Sequence, residues 1–585
     1  MHRHYTFAII GLGPRGHFAL ECLTRELDEM NLLHRVNILV FETSSYAGYG
    51  PVYAEDQSDS NWINITERLL NLPPRDPLES NTCTIPAFPG YLEWADLLYD
   101  DWPSDRVDTF PPRAKLGNYL RDRFVSLINP LREGGVVSEV RDNVVRIGRA
   151  EDELTITTRD GVQYEADNIL LTIGHQPTEP DDQLSRWQTE APNHSDIALL
   201  SDPYPVDQAL DAIESLNAAR VAIRGYGLAT IDVIRAIANR FGEFSIREKQ
   251  NVAQSFAISD PLCPEIVPFS LDGLTLGPKP LTPRIDAQFA PGASDLTALR
   301  RDLENRKLQA AARGKEFVVD RICYLAAKVF CELEFRRGGK QVNADEVARV
   351  SKTWIDDPTL EHPLIHTPKV GPRETLEEFI GMAIGERPIS LDYCIGQVWR
   401  HCQPAMYDTL SYSAVADEVM ADIIFSDEQL KRYTYGPPVE SLQQLIALHE
   451  VGVLNLDYLV DPEIDVSDKG WQLTNDDQTV RAPIMINAVL DPPRASAVTS
   501  SIMGSLFGAN STDTVHDKLG VTTFEDAYLD NRNGADELPI ALLGRLAQGT
   551  VIGVDAILEC FGKRAEGWSQ AAVAKAQQHI AAIDE

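Results

Sequence analysis

The feature that most restricts the fold is a glycine turn set between an apolar strand and an amphipathic helix. Tyr5–Ile10 is a short apolar run, Gly11-Leu12-Gly13-Pro14-Arg15-Gly16 follows, and His17–Met30 has helical spacing with Phe18, Leu20, Leu23 and Leu27 on its buried face. A second apolar run, Val36–Phe41, ends at Glu42, 26 residues beyond the third glycine. Each part has a physical task. Gly11 permits the tight turn, Gly13 lets the backbone approach a pyrophosphate, and Gly16 allows close packing of helix on strand. The helix N-terminus offers free N–H groups and a positive dipole end to phosphate. Glu42 can accept hydrogen bonds from ribose hydroxyls. A glycine motif alone is weak evidence; with strand, helix and terminal acid in order it predicts a dinucleotide site.

A second fingerprint lies at Val221–Thr230, VAIRGYGLAT. An apolar strand again meets Gly225-x-Gly227, and Ile231, Val233, Ile234 and Ile237 carry a helix onward. Its third glycine position is Thr230, a small departure that makes this site weaker. No clear acid or basic cluster is legible at the end of the following strand, so NADH and NADPH are not distinguished.

The two halves repeat an order of elements. After the first fingerprint come the polar hairpin Glu153–Glu165, turning at Asp160-Gly161, and the buried strand Asn168–Ile173 ending at Gly174-His175. After the second come the hairpin Trp471–Arg481 and the strand Ile484–Val489. This weak duplication suggests two nucleotide-binding units, one inserted in the other. Between them, residues 295–450 are rich in helical spacing, as in Phe317–Leu333, Thr375–Ile384 and Val439–Leu448. That region reads as an insertion covering a cleft, its helices serving mainly as packing surface. The stretch Leu538–Gly562 reads as a strand, a Gly-rich turn and a helix starting near Asp555.

The expected architecture is α/β: two Rossmann-like units, the second inserted in the first, with a helical insertion. The divisions expected are 1–180 and 495–585 for the first unit, 181–290 and 451–494 for the second, and 291–450 for the insertion.

Composition narrows the function classes. The net charge is −35 and the pI near 4.7. Such a surface repels phosphate backbones, so nucleic acid and anionic membranes are poor partners. No apolar run is long enough to span a bilayer. The start of the chain lacks a signal-peptide pattern. The eight cysteines are dispersed without CxxC spacing, which suits reduced thiols in a cytoplasm and removes the relay of a disulfide reductase. Cys394 and Cys402 bracket His401 without zinc-site spacing, so no metal is expected. Homo-oligomerisation is left open.

Two fingerprints, two exit strands and a C-terminal Gly/Asp turn resemble the two-dinucleotide flavoproteins. In detail the chain resembles the aspartate N-monooxygenase and HpyO-type urate hydroxylase group of class B-like flavin monooxygenases. The segments that carry this are IIGLGPRG (9–16), NITERLLNLPPRDP (64–77), FPPRAKLGNYL (110–120), NILLTIGHQP (168–177), RGYGLATID (224–232) and LLGRLAQGTVIGVD (542–555). The resemblance implies FAD on the first unit and NAD(P)H on the second. Gly11, Gly13, Pro14, Arg15 and Gly16 would hold the FAD pyrophosphate, and Glu42 the adenosine ribose. Val144 would touch adenine through its backbone, and Gly174 would close the exit strand. Gly225, Gly227 and Thr230 would face the nicotinamide dinucleotide, and Gly553 and Asp555 the flavin end. An Asp near a helix N-terminus there suits the ribityl chain, and the helix dipole suits a reduced flavin ring.

The loop 61–75 should pass near the flavin and supplies the catalytic candidates Asn64, Asn71 and Arg75. An amide could anchor substrate or nicotinamide, and an arginine could clamp a carboxylate bidentately. His175 reads as a linker residue rather than a base. The chemistry expected is hydride transfer from NAD(P)H to FAD, addition of dioxygen to give a flavin hydroperoxide, and transfer of one oxygen to a small polar substrate. The substrate step expected is N-hydroxylation of an amino acid such as aspartate, whose ammonium must lose a proton to attack. A urate-type hydroxylase, a flavin reductase, dehydrogenase or NAD(P)H oxidase of the same fold, and a non-catalytic dinucleotide-binding protein are the alternatives. All of the enzymatic readings require two nucleotide cradles facing one cavity.

Overall fold

The computed structural model describes residues 4–97, 102–150, 153–194, 196–339, 342–366, 370–476, 478–490, 494–507, 519–530 and 538–584. Two parallel sheets organise these residues. In the first, the strand order is Ile540–Leu542, Asn168–Leu171, Tyr5–Ile10, Val36–Phe41, Val137–Val140. In the second it is Ala198–Leu200, Ile484–Asn487, Arg220–Arg224, Glu265–Phe269. All neighbours in both sheets run parallel. Parallel strands covered by helices are apolar on both faces, which is why Ile9, Ile169, Leu170, Val221 and Ile223 are all fully buried. The α/β class and the paired Rossmann-like units expected from sequence are therefore present.

The repeated order of elements is also real. Each exit strand is preceded by a three-stranded antiparallel meander, 144–150 with 153–158 and 163–166 in the first unit, 463–467 with 470–475 and 478–482 in the second. Strand Ile540–Leu542 pairs with Asn168–Leu171, so the chain returns to the first sheet after completing the second.

The region 293–450 is helical, with its longest helices at Glu316–Glu332, Leu391–Leu410 and Asp417–Thr434. It does not form a separate core. Phe317, Ile322, Trp399 and Leu445 belong to the same buried cluster as Val221, Ile223 and Ile234 of the second unit. The helices thus pack on the second fingerprint helix Leu228–Phe241 and carry its position with them.

Asp286 ties this insertion to the first unit. Its carboxylate receives Arg68 from the loop 61–75 at 2.6 Å, and Arg400 and His401 from the helix Leu391–Leu410, His401 at 3.2 Å. Burial alone would raise its pKa; hydrogen bonds from His401 and Arg68 and the charge of Arg400 outweigh this and hold it well below the usual value of 3.8. A depressed carboxylate pKa contributes stability above the unfolded value that is lost as pH falls below it. We expect the folded chain to lose stability progressively below about pH 4 for this reason. Asp286→Asn should cost about 3–5 kcal/mol at neutral pH by stranding the buried cations, and should flatten the acid limb. Urea unfolding of both chains between pH 3 and 7 checks this.

Candidate functional site

One cavity of about 1110 Å³ takes in both glycine turns. Its wall includes Gly11, Gly13, Pro14, Arg15, Glu42, Val144 and Gly174 from the first unit and Gly225, Gly227 and Ala229 from the second. Two nucleotide cradles therefore open into a shared space.

In the first cradle, Gly11 has φ +88°, and a Cβ there would lie 2.6 Å from the Thr172 carbonyl oxygen. A Cβ at Gly16 would lie 2.3 Å from the Gly11 oxygen, so the glycine is needed for helix-on-strand contact. Gly13 differs: it precedes the helix Pro14–Glu29, has an ordinary φ of −75°, and a Cβ there would meet nothing within 4 Å. That open space above a helix N-terminus is what a pyrophosphate requires. Glu42 accepts from the N–H groups of Leu12 at 2.8 Å and Ser44 at 2.9 Å, so the acid braces the turn while facing the cavity.

The second cradle repeats the plan. Gly225 has φ +104°, and Gly227 precedes its helix with nothing within 4 Å of an added Cβ. Thr230 is fully buried, and its hydroxyl donates to the Gly225 carbonyl at 2.9 Å. The departure from glycine is thus turned into a brace inside the turn and away from the cavity wall. The first turn has a counterpart, because Thr172 reaches in from the exit strand to donate to the Gly11 carbonyl.

At the far end of the first cradle a helix does start near Asp555, which lies on the cavity wall, but that helix is short. Asp555 caps no long helix. A single turn, Ile557–Cys560, follows it, with Ala556 at the N-cap and no side-chain cap. The Asp555 carboxylate instead binds Lys431 at 2.8 Å and lies 3.4 Å from Arg545. Burial would raise its pKa, but Lys431 and Arg545 outweigh this and hold it below the ordinary value. Burial likewise opposes the Lys431 charge, and Asp555 with Glu428 more than restores it, raising that pKa. His175 opens on the same wall beside Arg545; desolvation and the Arg545 charge lower its pKa to about 4, which makes it a weak base at neutral pH. Gly553 lies outside the cavity wall: its φ is +76°, and a Cβ would strike the Tyr407 ring.

The three catalytic candidates part company. Asn64 is on the cavity wall, its amide donating to the Tyr435 carbonyl at 3.3 Å. Asn71 is exposed and away from that wall. Arg75 is buried in the first unit, donating to Glu21, Ser126 and the carbonyls of Arg123 and Pro86. The structure brings neither Asn71 nor Arg75 to the cavity. In their stead the insertion contributes Glu428, Lys431, Arg432 and Tyr435. The only signal for these in the sequence is a charged last turn, LKRYTYG, on a helix otherwise spaced for packing.

Residues 8–176 match the FAD-NAD(P)-binding family. The first unit is therefore of the cofactor class its turn predicts, and the second repeats its plan. The chain is 22% identical to uncharacterized protein YdhS of Escherichia coli over 515 residues, 82% of each chain. It is 27% identical to nitrosuccinic acid synthase npaA of Aspergillus oryzae over 249 residues, 41% of this chain but only 37% of that protein. Among solved structures it is similar to reduced ornithine hydroxylase (PvdA) from Pseudomonas aeruginosa (TM-score 0.43, 12% identity, 99% and 100% of the two chains). It is also similar to L-lysine 6-monooxygenase from Pseudomonas syringae (TM-score 0.39, 14% identity, 99% of each). The cofactor class shown for residues 8–176 is FAD- and NAD(P)-binding. Among the described residues no helix is long and apolar enough to cross a membrane, and no cluster of His, Cys, Asp or Glu suits a metal ion.

The open space at Gly13 and Gly227 allows the two cradles to be tested separately. Gly13→Val should fold normally yet retain FAD at least roughly tenfold less tightly, because its side chain occupies the phosphate space. Gly227→Val should stay yellow but lose reduction by NAD(P)H in stopped-flow absorbance. Arg75→Met should behave oppositely to both. It should lower stability by about 3 kcal/mol by leaving part of the Glu21 charge unpaired, with FAD affinity unchanged; calorimetric unfolding and flavin titration together check it.

Proposed function

We propose that the protein is an FAD-dependent, NAD(P)H-consuming monooxygenase that inserts one oxygen of dioxygen into a small polar substrate. The observation that carries this is the single cavity joining two open glycine cradles, which lets a hydride donor on one unit approach a flavin on the other. Reduced flavin supplies the oxygen chemistry when bound. The protein's own residues bind, orient and exclude water. Gly11, Gly13, Pro14 and Arg15 would hold the pyrophosphate of FAD, with Gly16 packing the helix on the strand beneath it and Glu42 and Val144 toward the adenosine. Gly225, Gly227 and Thr230 would form the turn that takes the nicotinamide dinucleotide.

The Lys431, Asp555 and Arg545 group would border the flavin end. There a fixed cation favours the anionic form of a reduced ring, and a neutral His175 adds no competing charge. Asn64 remains the candidate anchor for substrate or nicotinamide, held against the insertion through Tyr435.

For the substrate we infer an amino acid nitrogen, with aspartate first. Nitrosuccinic acid, in the name of the fungal relative, has the four-carbon dicarboxylate skeleton of aspartate with oxidised nitrogen on it. Cationic side chains on the cavity wall outside the pyrophosphate cradle, Lys431, Arg432 and Arg545, suit a dianionic acid better than they suit an apolar ketone. The substrate ammonium must give up a proton before its nitrogen can react, and partial desolvation in the cavity favours the neutral amine.

The test is a substrate screen on FAD-loaded protein that follows NAD(P)H and oxygen consumption with mass detection of product. Aspartate should yield N-hydroxylated product in step with NAD(P)H consumed. Peroxide alone with every amino acid and with urate would make the protein an oxidase or reductase. Oxygenated urate would keep the monooxygenase and replace the substrate.

A further inference from the structure

Behind Asn64, the one catalytic candidate that reaches the cavity, stands a lysine that the chemistry above leaves unused. Lys279 lies in Gly277-Pro278-Lys279-Pro280, on the stretch that leads from the strand Glu265–Phe269 to the helical insertion. A proline on each side restricts the backbone and so sets the direction of the side chain. The stretch is stitched to the turn that ends the helix Asp417–Thr434. The Gly277 N–H donates to the Arg432 carbonyl at 2.9 Å, and the Lys279 N–H to the Pro437 carbonyl at 3.1 Å. A Cβ at Gly436 would lie 1.8 Å from the Gly277 oxygen, so the two backbones are in direct contact.

From there the Lys279 side chain crosses to the first unit. Its Nζ donates to the Asn64 carbonyl and, at 2.9 Å, to the Gly436 carbonyl. The Asn64 amide in turn donates to the Tyr435 carbonyl at 3.3 Å. Asn64 and Tyr435 line the cavity and Lys279 does not, so the wall contact is tied from behind. Two carbonyls match the two N–H groups of a neutral amine; an ammonium carries a third. Burial accordingly pushes the Lys279 pKa down to about 7, with the Arg400 charge adding to this and Asp286 opposing it. Asp286 is itself matched by Arg68, Arg400 and His401. On the two bridged elements Glu67 pairs with Lys115, Lys431 with Asp555 and Arg432 with Asp272, so those charges are met elsewhere. The Tyr393 hydroxyl donates to the adjoining Pro278 carbonyl at 2.8 Å.

We propose that Lys279 is the positioning residue of this wall and works as a neutral amine: its two N–H groups tie Asn64 to the turn 435–437, and uptake of a third proton from water loosens the tie and frees the Asn64 amide. A group that the closed wall holds neutral and that water protonates makes opening take up one proton. Closure therefore strengthens as pH rises from about 7 toward the ordinary lysine value, and is level below it. The proposal rests on the reading that Asn64 anchors substrate or nicotinamide. It goes further by naming what holds Asn64 and the protonation state in which it does so.

Amide hydrogen exchange of the FAD-loaded protein tests the tie without reference to turnover. Protection of the segments 61–70 and 432–438, taken relative to intrinsic exchange, should be level below about pH 6.5 and rise by up to about tenfold per pH unit between 7 and 8.5, the slope of one linked proton. Lys279→Met, which has no proton to exchange, should show no such rise and less protection than the parent at pH 8.5. A parent protein whose protection is level with pH, or a Lys279→Met variant that keeps the rise, overturns the proposal; the first measurement needs no variant to fold. Calorimetric titration with aspartate and with NAD+ over the same pH range tests the positioning. The ligand that Asn64 anchors should bind more tightly with the same pH dependence, and Asn64→Ala should weaken that ligand at pH 8.5 by about tenfold, the loss of one hydrogen bond, and abolish the dependence. Exchange that follows pH beside affinities that do not overturns the reading of Asn64 as an anchor, and the positioning role with it, and leaves the tie itself standing.

Discussion

The arrangement of the site depends on an ion pair between Arg113 and Asp232. Arg113 opens the helix Arg113–Glu133 of the first unit, and Asp232 lies on the fingerprint helix of the second. They meet at 2.6 Å, with the Tyr204 hydroxyl donating to the same carboxylate. One turn further along that helix, Arg235 stacks 3.6 Å from the centre of the Trp62 ring and donates to the Ser60 carbonyl and to Gln444. Both anchors in the second unit are nearly inaccessible, Asp232 at 5% and Arg235 at 2% exposure. Buried pairs are weak sources of net stability, but their geometry is demanding, because a misplaced partner leaves a charge unpaired. Here they fix the direction in which the second glycine turn faces the first.

That constraint matters because both glycine turns open into one cavity. Each cradle needs a bare backbone and a helix N-terminus pointing at phosphate, so neither tolerates side chains filling the gap. Gly13 and Gly227 meet this with open space, while Gly11 and Gly16 are pressed against neighbouring backbone. The glycines of one motif thus divide into those that make room for a ligand and those that make the turn compact.

Much of this was legible in the chain. The first fingerprint, its strand and its acid follow one another within about forty residues, so local pattern and sheet neighbourhood coincide. The second fingerprint was equally local. The strand paired beside it was not, since the next strand in the chain, Gly242–Glu248, is not the next strand in the sheet. Arg75 shows the opposite failure. An arginine in a loop reads alike whether it clamps a substrate or balances a buried glutamate, and only the position of Glu21 across the core decides. Asp555 read as an acid beside a helix N-terminus, because Lys431, which pairs with it, is 124 residues away in sequence.

The insertion explains why the missed residues share one origin. Its helices bury Phe317, Trp399 and Leu445 in the core of the second unit, so their sequence is dominated by packing. Packing sets a helix's face and leaves its last turn free to differ. On Asp417–Thr434 that turn carries Lys431 and Arg432, which separate toward the two cradles: Lys431 to Asp555 in the first unit, Arg432 to Asp272 in the second. Adjacent residues on a helix point about 100° apart, so a single turn can reach an acid of each unit where the cavity passes between them. The same helix is fixed by the core it helps to form. A ligand that shifts either ion pair therefore works against buried apolar contacts, and the cation set on the cavity wall is rigid for the reason that made it hard to read.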